Sequence, residues 1–192
     1  SDAFLKQSGL FSQKSEKWPL FRGRLMFPIR DRQGRTIAFS GRDLTGDEKA
    51  PKYINSPETQ IYQKKENYFG LYEAKNTIAE GKIGPILCEG NFDVVSMHQA
   101  GYTSAIASLG TSFTNEQCAN MKKWYPNNQV FNILYDSDAA GQKSTERALL
   151  ILNRNGFEQR VHKLSTAKDA SELLERDGEE GVKNEFEPYV SG

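Results

Sequence analysis

Pro85-Ile86-Leu87-Cys88-Glu89-Gly90-Asn91-Phe92-Asp93 is a short apolar run that meets an acid and a glycine and then turns helical. Further on, the chain repeats the arrangement. Asn132-Ile133-Leu134-Tyr135 runs into Asp136-Ser137-Asp138, and Gly141 opens the next helical pattern. Apolar runs this short, bounded by turn residues, read as buried strands. The same reading predicts strands at 85–88, 104–107, 129–135 and 159–164. It predicts helices at 71–78, 92–100, 115–124 and 141–152, with shorter ones at 171–175 and 180–186. Alternating short strands and helices imply βαβ units and a largely parallel sheet flanked by helices, an α/β fold.

Functional groups in such a sheet collect at the carboxyl ends of the strands. Glu89 ends the first strand, with Asp93 one turn into the following helix. Asp136 and Asp138 end another, and Lys168-Asp169 follows the last. Clustered carboxylates repel one another and resist desolvation, so a cation usually compensates them. Oxygen ligands without His or Cys suit Mg²⁺ or Mn²⁺, which neutralise charge in phosphoryl transfer. Taken singly, Asp138 and Asp169 read more simply as helix caps and Asp93 as a surface helix residue. Three acidic groups at three strand ends favour a metal-phosphate site. Gly90 admits close backbone approach, and Gly141 a tight helix entry.

Upstream, residues 21–65 are rich in Arg and Lys, whereas the tail from Glu172 is mostly acidic. Lys plus Arg and Asp plus Glu both total 25, so the sum conceals a basic region. Strands are expected at 24–29 and 36–40, joined by a turn over 31–35 into a hairpin. Gly46-Asp47-Glu48-Lys49 reads as an exposed loop. Asn55-Ser56-Pro57-Glu58 reads as a tight turn capping a short helix. Arg30, Arg32 and Arg35 read as an ordinary solvated face.

The 192 residues suit one domain or two small fused lobes. Two cysteines, Cys88 and Cys118, and two isolated histidines exclude a structural zinc site and a disulfide framework. No run is long enough to cross a bilayer and no signal peptide is visible, so a cytoplasmic location is expected. The opening Ser1-Asp2-Ala3 reads as a boundary inside a larger protein.

At Glu89-Gly90 and Asp136-Ser137-Asp138 the chain resembles the Toprim fold, shared by bacterial primases, type IA and type II topoisomerases and small nucleases. The segments Phe21-Arg22-Gly23-Arg24-Leu25-Met26-Phe27-Pro28-Ile29 and Ile37-Ala38-Phe39-Ser40-Gly41-Arg42 resemble DnaG-type primases within that group. So do Pro51-Lys52-Tyr53-Ile54-Asn55-Ser56-Pro57-Glu58-Thr59, then Lys64 and Gly70-Leu71-Tyr72, and downstream Ala107-Ser108-Leu109-Gly110-Thr111. The similarity runs from about Leu5 to beyond Asp169.

The resemblance implies a Toprim-like parallel sheet with a smaller, basic, mixed α+β lobe before it. Residues 1–68 would be part of that lobe, 69–165 the Toprim domain, and 166–192 an acidic helical segment. It implies DNA-templated, metal-dependent synthesis of short RNA primers from ribonucleoside triphosphates. Glu89, Asp136 and Asp138 match the catalytic metal-binding acids, Asp169 a further metal ligand, and Asp93 and Glu172 supporting acids. Arg42, Lys52, Tyr53, Asn55 and Lys64 match a segment that lines the path of template, product or nucleotide. The implied cofactor is Mg²⁺ or Mn²⁺, with no zinc. The implied partners are single-stranded DNA and nucleotides, with a replicative helicase reached through a domain lying elsewhere, and the chain acting as a monomer. Ser171 stands where the family often has a second Asp, Ser137 and Ser40 where glycine is common, and Ala139 where a basic residue or proline is common.

Other readings are a nuclease or topoisomerase fragment, which lacks the 21–64 motifs, and a binding module without chemistry. A phosphatase with Asp136 as nucleophile would expect a hydroxyl shortly after Asp138, where Ala139 and Ala140 stand.

Overall fold

A computed structural model describes residues 7–12, 15–110 and 112–186. Thr111 of the loop motif and the opening residues Ser1 to Lys6 lie outside these. The chain divides into two units, Ser1–Lys64 and Lys65–Gly192.

The first unit is antiparallel. Strand β1 (Phe11–Ser12) pairs with β2 (Ser15–Pro19), and β3 (Arg24–Arg30), β4 (Thr36–Asp43) and β5 (Tyr53–Asn55) form a sheet in that order. Phe27 and Ile29 are buried while Met26 before them and Pro28 between them are exposed, the period-two pattern of a half-buried strand. Pro28 lies on an edge strand, where a missing N–H is tolerated. The β3–β4 hairpin turns as expected. Asp31 Oδ1 accepts the N–H groups of Gln33 and Arg35, both at 3.0 Å, and Gly34 takes φ 88°. One expectation is corrected. Asn55 ends β5, and no helix follows it. The chain instead makes a turn closed by a Thr59–Tyr62 bridge. Ladder pairing of Tyr53–Asn55 with β4 competes successfully with local capping there.

The second unit carries a four-stranded parallel sheet, order β7-β6-β8-β9, from β6 (Ile86–Cys88), β7 (Ala105–Ala107), β8 (Val130–Leu134) and β9 (Glu158–Val161). Its helices are α1 (Leu71–Glu80), α2 (Asn91–Gln99), α3 (Asn115–Trp124), α4 (Ala139–Arg154) and α5 (Ala170–Glu185). The stretch α5 is interrupted by non-helical backbone at Gly178, φ 69°, so it comprises two helices, as the sequence leads one to expect. The central strands are buried on both faces, as parallel strands require. Leu87, Ile106, Phe131 and Ile133 form the core with Met121, Leu152 and Phe157. Cys88 and Cys118 are buried free thiols. No helix among the described residues is long and apolar enough to cross a membrane.

Tyr68 is packed into this core, and its hydroxyl has no hydrogen-bond partner among the described residues. An orphaned buried hydroxyl costs more than the hydroxyl gives. Tyr68→Phe is therefore expected to hold or raise stability by about 1 kcal/mol, a rise of roughly 2–4 °C in Tm. A loss of that size in urea unfolding would show that the hydroxyl is satisfied in solution.

Candidate active site

The acidic residues meet because three strand ends open on the same edge of the second unit. The N–H of Asp136, after β8, donates to Glu89 Oε2, after β6, at 3.2 Å. The Ser137 N–H donates to the Lys168 carbonyl at 3.2 Å, tying the β8 loop to the segment before α5. Gly141 makes this loop possible. A Cβ at that position would stand 2.1 Å from the Asp136 carbonyl oxygen.

Several of these acids also cap helices. Asp138 Oδ1 accepts from the N–H groups of Ala140 and Gly141, both at 3.0 Å, at the start of α4. Asp169 Oδ1 accepts from Glu172 N–H at 2.8 Å at the start of α5. Asp93 Oδ2 accepts from Gly90 N–H at 3.0 Å, and its Oδ1 from Ser171 N–H at 3.4 Å, so it links α2 to α5. Glu172 Oε2 accepts the Lys168 N–H at 2.8 Å. The cap reading and the cluster reading thus both describe Asp138, which has a second oxygen facing the cluster.

That oxygen faces a residue that the sequence singled out only as the neighbour of Asp169, with no role of its own. The Lys168 ammonium lies 3.3 Å from Asp136 Oδ2 and 3.2 Å from Asp138 Oδ2. It stands between two carboxylates, as a cation compensating crowded anions should. Its only signal in the sequence is a lysine directly before a capping Asp.

The electrostatics match the crowding. Burial, and then the Asp136 charge, hold Glu89 above the usual carboxylate range. Burial also raises Asp136, with Lys168 pulling the other way. The Gly141 N–H and the Lys168 ammonium hold Asp138 below its ordinary value, and Asp138 and Asp136 raise Lys168 in turn. Burial, followed by the charges of Asp169 and Asp136, pushes Asp93 up to about 7.

For Asp93 the folded state binds its proton more tightly than the unfolded chain. The cost of ionising it is absent below about pH 4 and complete above about pH 7. Asp93→Asn in chelator should gain on the parent by on the order of 3 kcal/mol between pH 5 and 8. Burial lowers His162, which acts in the opposite direction, but it is present in both proteins and cancels in the difference. Parallel urea-stability curves for the two proteins would contradict this.

Among the described residues, no three His, Cys, Asp or Glu side chains are gathered closely enough to hold a metal ion as they stand. The donor set nonetheless fits a hard dication: oxygen only, with Asp136 part-buried, and a like-charge strain that an ammonium now relieves.

The residues expected to meet nucleic acid lie in the first unit. Arg42 and Tyr53 are cross-strand partners of β4 and β5, with the guanidinium 6.0 Å from the ring centroid. Asn55 pairs with Ser40. The Lys52 carbonyl accepts the Asp43 N–H at 2.9 Å. Arg42 and Lys52 share the rim of an open cavity of about 480 Å³. The Lys64 N–H donates to Glu58 at 3.1 Å.

Residues 1–75 match the family described as the DNA primase catalytic core, N-terminal domain, and residues 86–174 match the Toprim-like family. The DNA primase of Clostridium acetobutylicum is 40% identical over 189 residues, 97% of this chain and 30% of that protein. The zinc-binding and RNA polymerase domains of the Aquifex aeolicus primase superpose with TM-score 0.82 at 37% identity, over 95% of this chain and 44% of that one. A DnaG primase catalytic domain bound to ssDNA superposes at 0.79 with 35% identity, over 94% and 56%. The chain therefore spans less than a third of the length of the curated relative and about half of each structure. With the acidic edge, the basic antiparallel sheet and both family domains in this order, the chain belongs to the DnaG-type DNA primase catalytic-core family.

Proposed function

We propose that this chain holds the nucleotidyl-transfer site of a DNA primase and joins ribonucleotides on a single-stranded DNA template. The observation that carries the reading is the Lys168 ammonium between Asp136 and Asp138, with Glu89 tied to the same loop. Such an edge is built to receive positive charge.

Glu89, Asp136 and Asp138 would hold Mg²⁺ or Mn²⁺, with Asp169 beside them. When bound, the metal supplies charge neutralisation for a triphosphate and for a developing pyrophosphate. The protein's own part is positioning. The caps at Asp138 and Asp169 fix two loops rigidly to helix starts, and Asp93 and Glu172 brace them. Lys168, displaced from between the carboxylates, is placed to pair with a phosphate oxygen of the nucleotide. In the first unit Arg42, Lys52 and Lys64 would hold phosphates, while Tyr53 and Asn55 orient backbone or base. A related catalytic domain bound to ssDNA supports that choice of template. In this reading residues 1–68 serve as the basic lobe, 69–165 as the Toprim domain and 166–192 as an acidic helical segment, in a monomer working in the cytoplasm.

The direct test is Mn²⁺ titration followed by electron paramagnetic resonance. Lys168→Met removes a competing cation held by two weak pairs, so Mn²⁺ should bind about fivefold more tightly. Glu89→Gln should lose the site. If neither substitution changes Mn²⁺ affinity, the cluster is not the metal site.

A further inference from the structure

The turn that brings Lys168 and Asp169 to the acidic edge is held from behind by the far end of α5. Glu185 Oε2 accepts the Ser165 N–H at 2.6 Å, the Ser165 hydroxyl at 3.1 Å and the Thr166 N–H at 3.2 Å, and its Oε1 accepts the Thr166 hydroxyl. From the first helix of α5, Arg176 donates to the Thr166 carbonyl at 2.6 Å and to Thr166 Oγ1. Two residues on, the Lys168 ammonium lies between Asp136 and Asp138, and the Lys168 carbonyl accepts the Ser137 N–H. All of these groups belong to the second unit.

Arg176 and Glu185 could not both reach Thr166 from one straight helix. They stand nine residues apart. At about 1.5 Å and about 100° per residue, that is about 14 Å along the axis and on opposite faces. The break at Gly178 brings them together. Its φ of 69° and ψ of −167° suit glycine alone, and a Cβ there would meet nothing within 4 Å, so this glycine serves the chain's direction and not its packing. Beyond the break, buried Val182 and Phe186 anchor the second helix. The Phe186 ring lies 4.9 Å from that of Tyr102 and 4.6 Å from that of His162, and its carbonyl accepts the Tyr102 hydroxyl at 2.6 Å. An acid in the last turn of a helix opposes the helix dipole, so Glu185 does nothing for α5 itself. Its bonds serve the turn.

We infer that Glu185 is a positioning residue: with Arg176 it latches the Ser165–Thr166 turn, fixes Lys168 between Asp136 and Asp138, and so sets how firmly that ammonium competes with a metal. The competition with metal rests on the function proposed above; the latch does not. Asp169 keeps its own bond to Glu172 when the latch is released, and Glu172 still holds the Lys168 N–H. Loss of Glu185 therefore loosens Lys168 without dismantling the edge, and its effect is smaller than removal of the lysine.

Amide hydrogen exchange and Mn²⁺ titration on the full chain test the two parts separately. Glu185→Ala should speed exchange of the Ser137 N–H about tenfold. It should leave the Asn132 N–H, bonded to the Pro85 carbonyl at 2.9 Å, as in the parent. Mn²⁺ should bind about threefold more tightly, and in the Lys168→Met background Glu185→Ala should add nothing. Glu185→Gln keeps an acceptor oxygen for the turn and should restore both readings. Thr166→Val removes the hydroxyl that Glu185 and Arg176 share. It should move both readings in the same direction, and decides the matter if Glu185→Ala does not fold. Ser137 exchange equal to the parent's overturns the latch, as does an equal rise at Ser137 and Asn132. A Mn²⁺ gain of the same size in the Lys168→Met background overturns action through Lys168. Faster Ser137 exchange in a protein whose parent binds no Mn²⁺ keeps the latch and removes the proposed function.

Discussion

Asp136→Asn loses primer synthesis by on the order of 10³-fold, and its melting temperature in chelator stays level or rises slightly. The two halves of this expectation have one cause. Asp136 is part-buried beside Glu89, Asp138 and Asp169, and burial holds its carboxyl above the ordinary range, so folding bears the cost of that charge. Its compensation by Lys168 is a pair whose lysine side chain is about half exposed, and such pairs contribute little. Removing the charge therefore relieves the fold while taking from the site a carboxylate it needs to receive a cation. The backbone N–H of residue 136 still reaches Glu89, so the loop keeps its tie. Primer yield and a thermal melt on the same preparation check both halves. A collapsed melt would make Asp136 structural, and retained synthesis would move the chemistry elsewhere.

Gly141→Ala is expected to damage the fold and the acidic edge together. The new Cβ would lie 2.1 Å from the carbonyl oxygen of Asp136 and 2.8 Å from its carbonyl carbon, both backbone atoms that no rotamer change can move aside. Either α4 shifts outward or the Asp136-Ser137-Asp138 loop does. Overpacking of this kind costs about 3 kcal/mol, a Tm loss of roughly 6–12 °C. Loop displacement also separates Asp136 from Glu89 and Lys168, so Mn²⁺ binding should fall along with stability. A Gly141→Ala protein that melts like the parent and binds Mn²⁺ normally would show that the helix start accommodates a side chain.

The acidic edge was legible in the sequence because its signals are local. An apolar run that stops at Glu89-Gly90 or Asp136-Ser137-Asp138 announces both a strand end and a carboxylate. The parallel sheet followed from the alternation of such runs with helical spacing. Other features were not legible because they depend on what the chain meets after folding. Lys168 looks like any lysine before a cap until Asp136 and Asp138 arrive beside it. Gln117 looks like an ordinary capping-box partner until its side-chain amide meets the Asn67 carbonyl at 2.6 Å. Strand β5 was not foreseen, and its last residue, Asn55, was placed in a turn and helix cap because Asn55-Ser56-Pro57 carries strong local turn chemistry. The ladder to Ser40, Gly41 and Arg42 outweighs that chemistry.

The central claim is tested most directly by incubating the chain at high concentration with ribonucleoside triphosphates, Mn²⁺ and a single-stranded DNA template, beside Asp136→Asn and a chelator control. Short oligoribonucleotides from the parent with Mn²⁺ alone are predicted, with none from the variant or the control. Product that persists in Asp136→Asn, or in chelator, would contradict the assignment of nucleotidyl transfer to the acidic edge.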